Sequence, residues 1–347
     1  MEGTPGWLHQ RVKLAVLFGL GLIVALGPVA IRNYAVGGEF HVTTSQMGPN
    51  FYIGNNPKAD GTYQPLKTGR GDAIYERNDA IAIAEQAMGK ELTPGEVSDY
   101  FMAESWKFIS GDPVGWLNLM GWKTLLTFNG TELVDTEDQY THATWSPILM
   151  GLSFLFHFGV LAPIGLLGLW MTRTQWKELW WAYLMLAAFT ASVIFFFVFG
   201  RYRFPMVPLL VVFAAPGLVQ LYDLWKTQKA AVLKFAPALV LLLIFCNVPI
   251  VDTKLARSLT LSNFGVQALI RDDVDQAEQF FQESVELKPD NAVAHCNLAV
   301  LYWRHDDPQK AREHFHRALA LNPKFQSAKE RLERMEKELA AAYGPLP

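Results

Sequence analysis

A chain of 347 residues that is 51% hydrophobic, with a net charge of −3, is too apolar for an ordinary water-soluble protein. Its charge is segregated: residues 33–145 hold 15 acidic and 7 basic residues, residues 252–347 hold 15 and 13, and the remainder holds 3 and 10. There is no basic stripe of the kind a nucleic-acid surface needs, and the two cysteines, Cys246 and Cys296, cannot build a disulfide framework.

Five stretches lack Asp, Glu, Lys and Arg and reach or approach the length that crosses about 30 Å of hydrocarbon. They lie between Lys13 and Arg32, Asp138 and Arg173, Glu178 and Arg201, Arg203 and Asp223, and Lys234 and Asp252. The first has no small-residue cleavage site and reads as a retained span. The second is interrupted by His142 and Ser146-Pro147, so its helix is expected to begin near Trp145. Arg11 and Lys13, Arg173 and Lys177, and Lys226, Lys229 and Lys234 mark one set of same-side segments, which the positive-inside rule places in the cytoplasm. The N-terminus is then expected on the cytoplasmic side, while residues 33–144 and everything after residue 252 face outward. Trp170, Trp176, Trp180 and Trp181 cluster about the 171–178 connection, as an interfacial belt does.

The outer loop shows turns at Gly37-Gly38 and Gly54-Asn55-Asn56-Pro57, with strand-like alternation over Glu39–Thr44. Helical signals follow. Ile74, Ile81, Ala84 and Met88 share one face of a helix over 72–89. Thr93-Pro94-Gly95-Glu96 predicts a capping box, and Asp112-Pro113 opens a third helix through Phe128. That third helix carries Lys123 as its only charge after the cap.

"FVFGRYRFPMVPLLVV", residues 197–212, sets Arg201 and Arg203 between two apolar runs, on the face where positive charge is not expected. An arginine at the bilayer centre costs about 2.5–3.5 kcal/mol on insertion scales. Snorkelling toward headgroups is one reading, and an anion site is the other, because guanidinium forks match phosphate oxygens. Composition leaves both open.

The C-terminal region repeats itself. "SNFGVQALIRDDVDQAEQFFQESVELKPD" and "CNLAVLYWRHDDPQKAREHFHRALALNPK" align at an offset of 34. Gly265 matches Ala299, Ala277 matches Ala311, Phe281 matches Phe315, and Pro289 matches Pro323. This is the tetratricopeptide period, with small residues where helices cross, an aromatic in the second helix and proline at the turn. Residues 324–342 provide a charged capping helix. Such repeats bind peptides or neighbouring subunits, or brace the rest of the chain. His314, His316 and His305-Asp306-Asp307 occupy ordinary repeat positions and read as solvated faces rather than metal ligands.

The expected fold is an α-helical integral membrane protein of about five transmembrane helices, with a mixed, mostly helical extracytoplasmic loop and a C-terminal α-solenoid. Its parts are a tail and first span (1–32), the loop domain (33–144), a four-helix membrane region (145–251) and the repeat domain (252–347).

Three stretches resemble the C-terminal half of multi-spanning glycosyltransferases, relatives of dolichyl-phosphate-mannose protein mannosyltransferases and bacterial aminoarabinose transferases. They are "GPVAIRNYAVGGEF" with "NFYIGNNPKADGTY", "YFMAESWKFISGDPVGWLNLMGWKTLLTFNGTE", and "RYRFPMVPLL". The resemblance implies transfer of a sugar from a polyprenyl-phosphate carrier at the outer face. It places Arg201 and Arg203 against the carrier phosphate, and Arg32, Asn33, Asn55 and Asn56 in a substrate loop. That family's catalytic carboxylate lies in a first outer loop that has no counterpart here, so catalytic residues stay unknown. The resemblance then implies a C-terminal portion that is inactive alone and needs a missing N-terminal half. No cofactor is identified, and a divalent metal in the complete enzyme is left open. A non-enzymatic membrane scaffold for envelope assembly and an O-antigen-ligase-like polymer transferase are the alternatives, the repeats serving a protein partner in each.

Overall fold

The computed structural model describes residues 5–42, 44–67, 73–134 and 137–343. Among these residues all regular structure is helical. The chain divides into two compact bodies, Met1–Lys123 with Ile194–Phe197, and Thr124–Val193 with Val198–Pro347.

The first body opens with α1 (Pro5–Gly37), most of whose described apolar side chains are uncovered; Phe18 and Val24 are 70% and 76% exposed, whereas Ala30 is buried. Behind it come α2 (Met47–Gly54), α3 (Ala73–Met88), α4 (Pro94–Gly111) and α5 (Pro113–Phe128), the last turn of which belongs to the second body. The capping box forms as the sequence predicts: Thr93 Oγ1 accepts from Glu96 N–H, and Glu96 accepts from Thr93 N–H. Ala80, Ala84, Val97 and Phe101 make the core between α3 and α4, and Ile81 packs beside them, whereas Met88 turns outward. Helices α2 and α4 cross closely because residue 48 is glycine; a Cβ there would collide with the Ser98 backbone.

The strand expected over Glu39–Thr44 is not there among the described residues, which omit Thr43; Asp72, the first residue of the helix predicted over 72–89, also lies outside them. Side-chain anchoring explains the difference. The Glu39 carboxylate accepts from Thr93 Oγ1 and from Gly95 N–H (2.7 Å), and lies 3.0 Å from His41 Nε2. It therefore sits at the N-terminus of α4, where an anion is favoured. The Thr93 hydroxyl and the His41 ring hold its carboxyl below the usual range. Backbone fixed in this way has no edge to pair with.

The second body contains α6 (Gln139–Ala143), α7 (Pro147–Leu155), α8 (Phe158–Met171), α9 (Trp176–Phe195, its last two residues in the first body), α10 (Gly200–Arg203), α11 (Met206–Thr227), α12 (Lys229–Val232) and α13 (Ala236–Asn247). Ser146 caps α7 and His157 caps α8, which separates the two short helices. A 3₁₀ turn over Thr172–Gln175 then reverses the chain: the Tyr183 hydroxyl donates to Leu169 O (2.9 Å) and meets Thr172 Oγ1 (3.0 Å). Glycine again permits close approach, because a Cβ on Gly168 of α8 would strike Phe213 O of α11. Phe158, Ala162, Leu186, Met206, Leu210 and Phe213 form the buried core here.

Among the described residues, four helical runs are long and apolar enough to cross a membrane by length and composition: His9–Gly37, Pro147–Phe195, Met206–Thr227 and Lys229–Asn247. The 49 residues of the second run include the reversal at Thr172–Gln175. Uncovered side chains are abundant on these runs, with Ile148, Phe154 and Phe156 all more than 70% exposed.

The repeat module is α14 (Lys254–Ile270), α15 (Val274–Leu287), α16 (Ala292–Arg304), α17 (Pro308–Leu321) and α18 (Gln326–Tyr343). Ala277, Phe281, Ala299, Ala311 and Phe315 are wholly buried in one cluster, as the 34-residue register predicts. Gly265 is required: a Cβ there would enter the Phe281 ring. Pro289 and Pro323 stand exposed in the turns after α15 and α17. A buried polar knot supports the same helices, with the Ser258, Ser262 and Ser284 hydroxyls linked at 2.9 Å and Asn291 Nδ2 donating to Ser258 Oγ (2.7 Å).

His295 and His314 face one another across α16 and α17, with Nδ1 atoms 3.1 Å apart. His295 Nε2–H donates to Pro289 O (3.0 Å), so its Nδ1 must be the acceptor and His314 Nδ1 the donor. Burial lowers the pKa of both rings, His314 being further lowered by its partner. A histidine pKa depressed by folding means that the unfolded chain binds more protons, so this stability is present above the ordinary value of 6.5 and is lost as pH falls below it. Melting of the repeat module should therefore shift downward between pH 7.5 and pH 5, and His314→Asn should flatten that dependence. An unchanged slope in the variant would contradict the pairing.

Candidate functional site

A helix leaves its last four carbonyls without intrahelical partners, and a buried helix end must find donors for them. At the end of α5 the donor is Arg203, 1% exposed. Nη1 lies 3.4 Å from Leu126 O, 3.3 Å from Thr127 O and 2.5 Å from Asn129 O. Nη2 donates to Thr131 O (3.1 Å) and Glu132 Oε2 (2.6 Å). Phe158 stacks beneath the guanidinium, 4.5 Å from ring centroid to Cζ. Gly200 N–H donates to Leu133 O (2.9 Å), so the 200–203 segment and the chain after α5 are held together twice.

The family resemblance sets Arg201 and Arg203 together against a carrier phosphate; in the structure the two side chains have different surroundings. Arg203 is committed to carbonyls and one carboxylate. Arg201 is exposed, with its guanidinium over the rings of Phe199 and Tyr202 at 5.5 and 5.1 Å. It lines a cavity of about 520 Å³ with Glu132, Glu137, Gln139 and Phe158. A second cavity of about 620 Å³ shares Glu132, Gln139, Phe158 and Val207, and continues along Leu149 and Leu152 of α7 and Phe156 just beyond it. One end of this groove is charged and the other is apolar.

The expected substrate-loop residues sit in the first body, and two of them are structural. Asn55 is fully buried: Nδ2 donates to Phe51 O (2.9 Å) and Phe195 O (2.7 Å), and Oδ1 accepts from Trp116 Nε1 (3.0 Å). Both Nδ2 hydrogens and one Oδ1 lone pair are thus engaged inside the protein. Asn56 closes its turn through Tyr52 O, Ile53 O and Lys58 N–H. Asn33 Nδ2 donates to His41 O (2.9 Å), and Arg32 is exposed near the end of α1.

Sequence reasoning assigned no role to Lys123. It is fully buried and donates through Nζ to Gly54 O and Phe196 O, both at 2.7 Å. Burial pushes its ammonium down to about 7. Its signal in the sequence is a single cation in an otherwise apolar helix. Asp138 is also unforeseen: buried at the start of α6, it accepts from Thr141 N–H and Oγ1 (2.8 and 2.6 Å), while its own N–H donates to Thr260 Oγ1 of α14 (2.6 Å). Trp145 stacks on Phe264 at 4.7 Å, which seats the first repeat on the helices before it. Asn129 of the Asn-Gly-Thr triplet is 1% exposed and donates to Val248 O, so it is no acceptor for glycosylation. Among the described residues no group of three or more His, Cys, Asp and Glu side chains is arranged to hold a metal.

A tetratricopeptide-repeat family model matches residues 292–325, the second repeat, covering α16 and α17. No curated protein and no solved structure matches the chain.

Removing one member of a buried charge network costs about 3–5 kcal/mol. Arg203→Met should lower the melting temperature in detergent accordingly, while Arg201→Ala should change stability by about 0.5 kcal/mol or less. Equal losses for the two variants would contradict the division of roles.

Proposed function

We propose that this protein is a membrane-anchored adaptor. Its apolar helices sit in a bacterial inner membrane and its tetratricopeptide module presents a binding face for a protein partner on the outer side. One observation carries the reading: a repeat module with a complete buried core follows directly on helical runs many of whose apolar side chains have no protein cover. Uncovered apolar surface of this extent is suited to hydrocarbon rather than water. The distribution of Lys and Arg supports a cytoplasmic N-terminus, with loop 33–144 and the repeats in the periplasm. Five crossings follow if the run Pro147–Phe195 passes inward and back out at its 3₁₀ reversal. Reporter fusions after residues 145, 228 and 343 should report outside, inside and outside. A photo-crosslinker at exposed Val293 of α16 should give a discrete protein adduct in intact membranes. A cytoplasmic C-terminus, or adducts to lipid alone, would contradict the adaptor reading.

A second reading follows the resemblance: the chain is the C-terminal portion of a glycosyltransferase that uses a polyprenyl-phosphate sugar, with the catalytic carboxylate supplied by another polypeptide. The groove supports it, since Arg201 and two glutamates line the polar end and α7 lines an apolar extension suited to a prenyl chain. Here the phosphate-facing role falls to Arg201 alone. Arg201→Ala should weaken binding of a polyprenyl-phosphate analogue to the purified chain by about ten-fold, the loss of about one charge-assisted contact. Unchanged binding would remove the carrier-lipid reading and leave the adaptor.

A further inference from the structure

The two adjoining cavities of the second body differ in the chemistry of their walls. Among the described residues, the charged side chains lining the polar cavity are Glu132, Glu137, Arg201 and Arg203, two carboxylates and two guanidiniums. Arg203 and Glu132 are matched to each other at 2.6 Å. Arg201 and Glu137, both exposed, add one further charge of each sign to the same wall. His142 of α6 donates through Nε2–H to Glu137 Oε2 (2.9 Å). A carboxylate accepts on both oxygens, so one imidazole holds Glu137 without saturating it. The imidazole is itself braced edge-on by Trp145 (ring centroids 5.9 Å, 84°) and by Phe264 of α14 (4.9 Å, 80°).

The second cavity is lined along its length by Leu149, Leu152, Phe156, Leu161 and Val207. Leu149, Leu152 and Phe156 are exposed, so this wall is continuous with the uncovered apolar side chains Ile148 and Phe154 of α7. A small soluble ion would leave that wall unused. An amphiphile uses both ends, its chain along α7 and its headgroup in the polar cavity. The charge pattern then selects the headgroup. A group that is only anionic meets the Arg201 guanidinium but also two carboxylates, and like charges brought together are a cost that discriminates between ligands. A headgroup with both signs meets each charge with its opposite: a phosphate matches the guanidinium fork, and a primary ammonium offers three donors to carboxylate oxygens.

We propose that this groove is a binding site for an aminophospholipid, whose phosphate meets Arg201, whose primary ammonium meets Glu137, and whose acyl chain lies along Leu149, Leu152 and Val207. The inference rests on the membrane placement of the adaptor reading, and it gives the groove a different occupant from polyprenyl phosphate. Native mass spectrometry of the full chain in maltoside micelles, titrated with phosphatidylethanolamine, phosphatidylglycerol, phosphatidylcholine or polyprenyl phosphate, tests it. Phosphatidylethanolamine should bind several-fold more tightly than phosphatidylglycerol, which lacks the ammonium, and than phosphatidylcholine, whose quaternary nitrogen has no proton to donate. Glu137→Gln should retain its melting temperature and lose about ten-fold in affinity for phosphatidylethanolamine, about 1.4 kcal/mol, while phosphatidylglycerol binds as well as before or better. Arg201→Ala should weaken both lipids, and Asp290→Asn, on an exposed turn of the repeats, should weaken neither. Equal binding of phosphatidylethanolamine and phosphatidylglycerol, or a preference that survives Glu137→Gln, would overturn the proposal and leave the membrane placement standing. Polyprenyl phosphate that outcompetes phosphatidylethanolamine and is indifferent to Glu137→Gln would overturn it in favour of the carrier-lipid reading. A full chain that stays monodisperse in water without detergent would remove the membrane placement and the lipid site together.

Discussion

The unmet carbonyls at the end of α5 set the constraint on which the second body depends. Buried carbonyls without donors each cost of the order of 1–3 kcal/mol, and three of those bonded by Arg203 lie within four residues, 126–129. One guanidinium reaches all of them because its donors lie in a rigid plane, and Glu132 balances the charge at 2.6 Å. Lysine would offer a single point of donation. The consequence runs outward from there: α10 is fixed against the chain after α5, Phe158 lies beneath the guanidinium, and Arg201, two residues earlier, is left to face the cavity.

The same device recurs in each body, a small polar knot enclosed in apolar packing. In the first body Asn55, Trp116 and Lys123 hold the end of α2 to residues 195–196, with glycine at 54 because the Phe196 carbonyl passes too close for a side chain. In the repeats Ser258, Ser262, Ser284 and Asn291 interlock where an all-apolar core would tolerate sliding of α14 over α15. Partly satisfied polar groups are costly in such surroundings, so each knot favours one register of its helices over its neighbours.

Much of the fold was legible in residues whose role is local or periodic. Thr93 and Asp112 announce helix starts because capping depends on three or four neighbouring residues, and Phe281 and Phe315 announce the repeats because the period repeats their environment. The site was less legible. Arg203 and Lys123 look alike in sequence, as cations in apolar company, yet their partners lie about seventy positions away and are backbone carbonyls, which carry no residue-type signature. Glu39 misled for the converse reason: alternation over Glu39–Thr44 fits a strand, but a carboxylate at the N-terminus of α4 decides the backbone there.

The two arginines of the hairpin thus have separate duties, one structural and one at the surface of a groove. Residue-resolved modification by phenylglyoxal, an arginine-selective reagent, followed by peptide mass mapping of the folded protein in detergent, addresses that division most directly. Adducts should accumulate on Arg201 while Arg203 stays unmodified until the protein unfolds. Modification of Arg203 at the rate of Arg201, with the helices still folded, would contradict a buried guanidinium holding the end of α5.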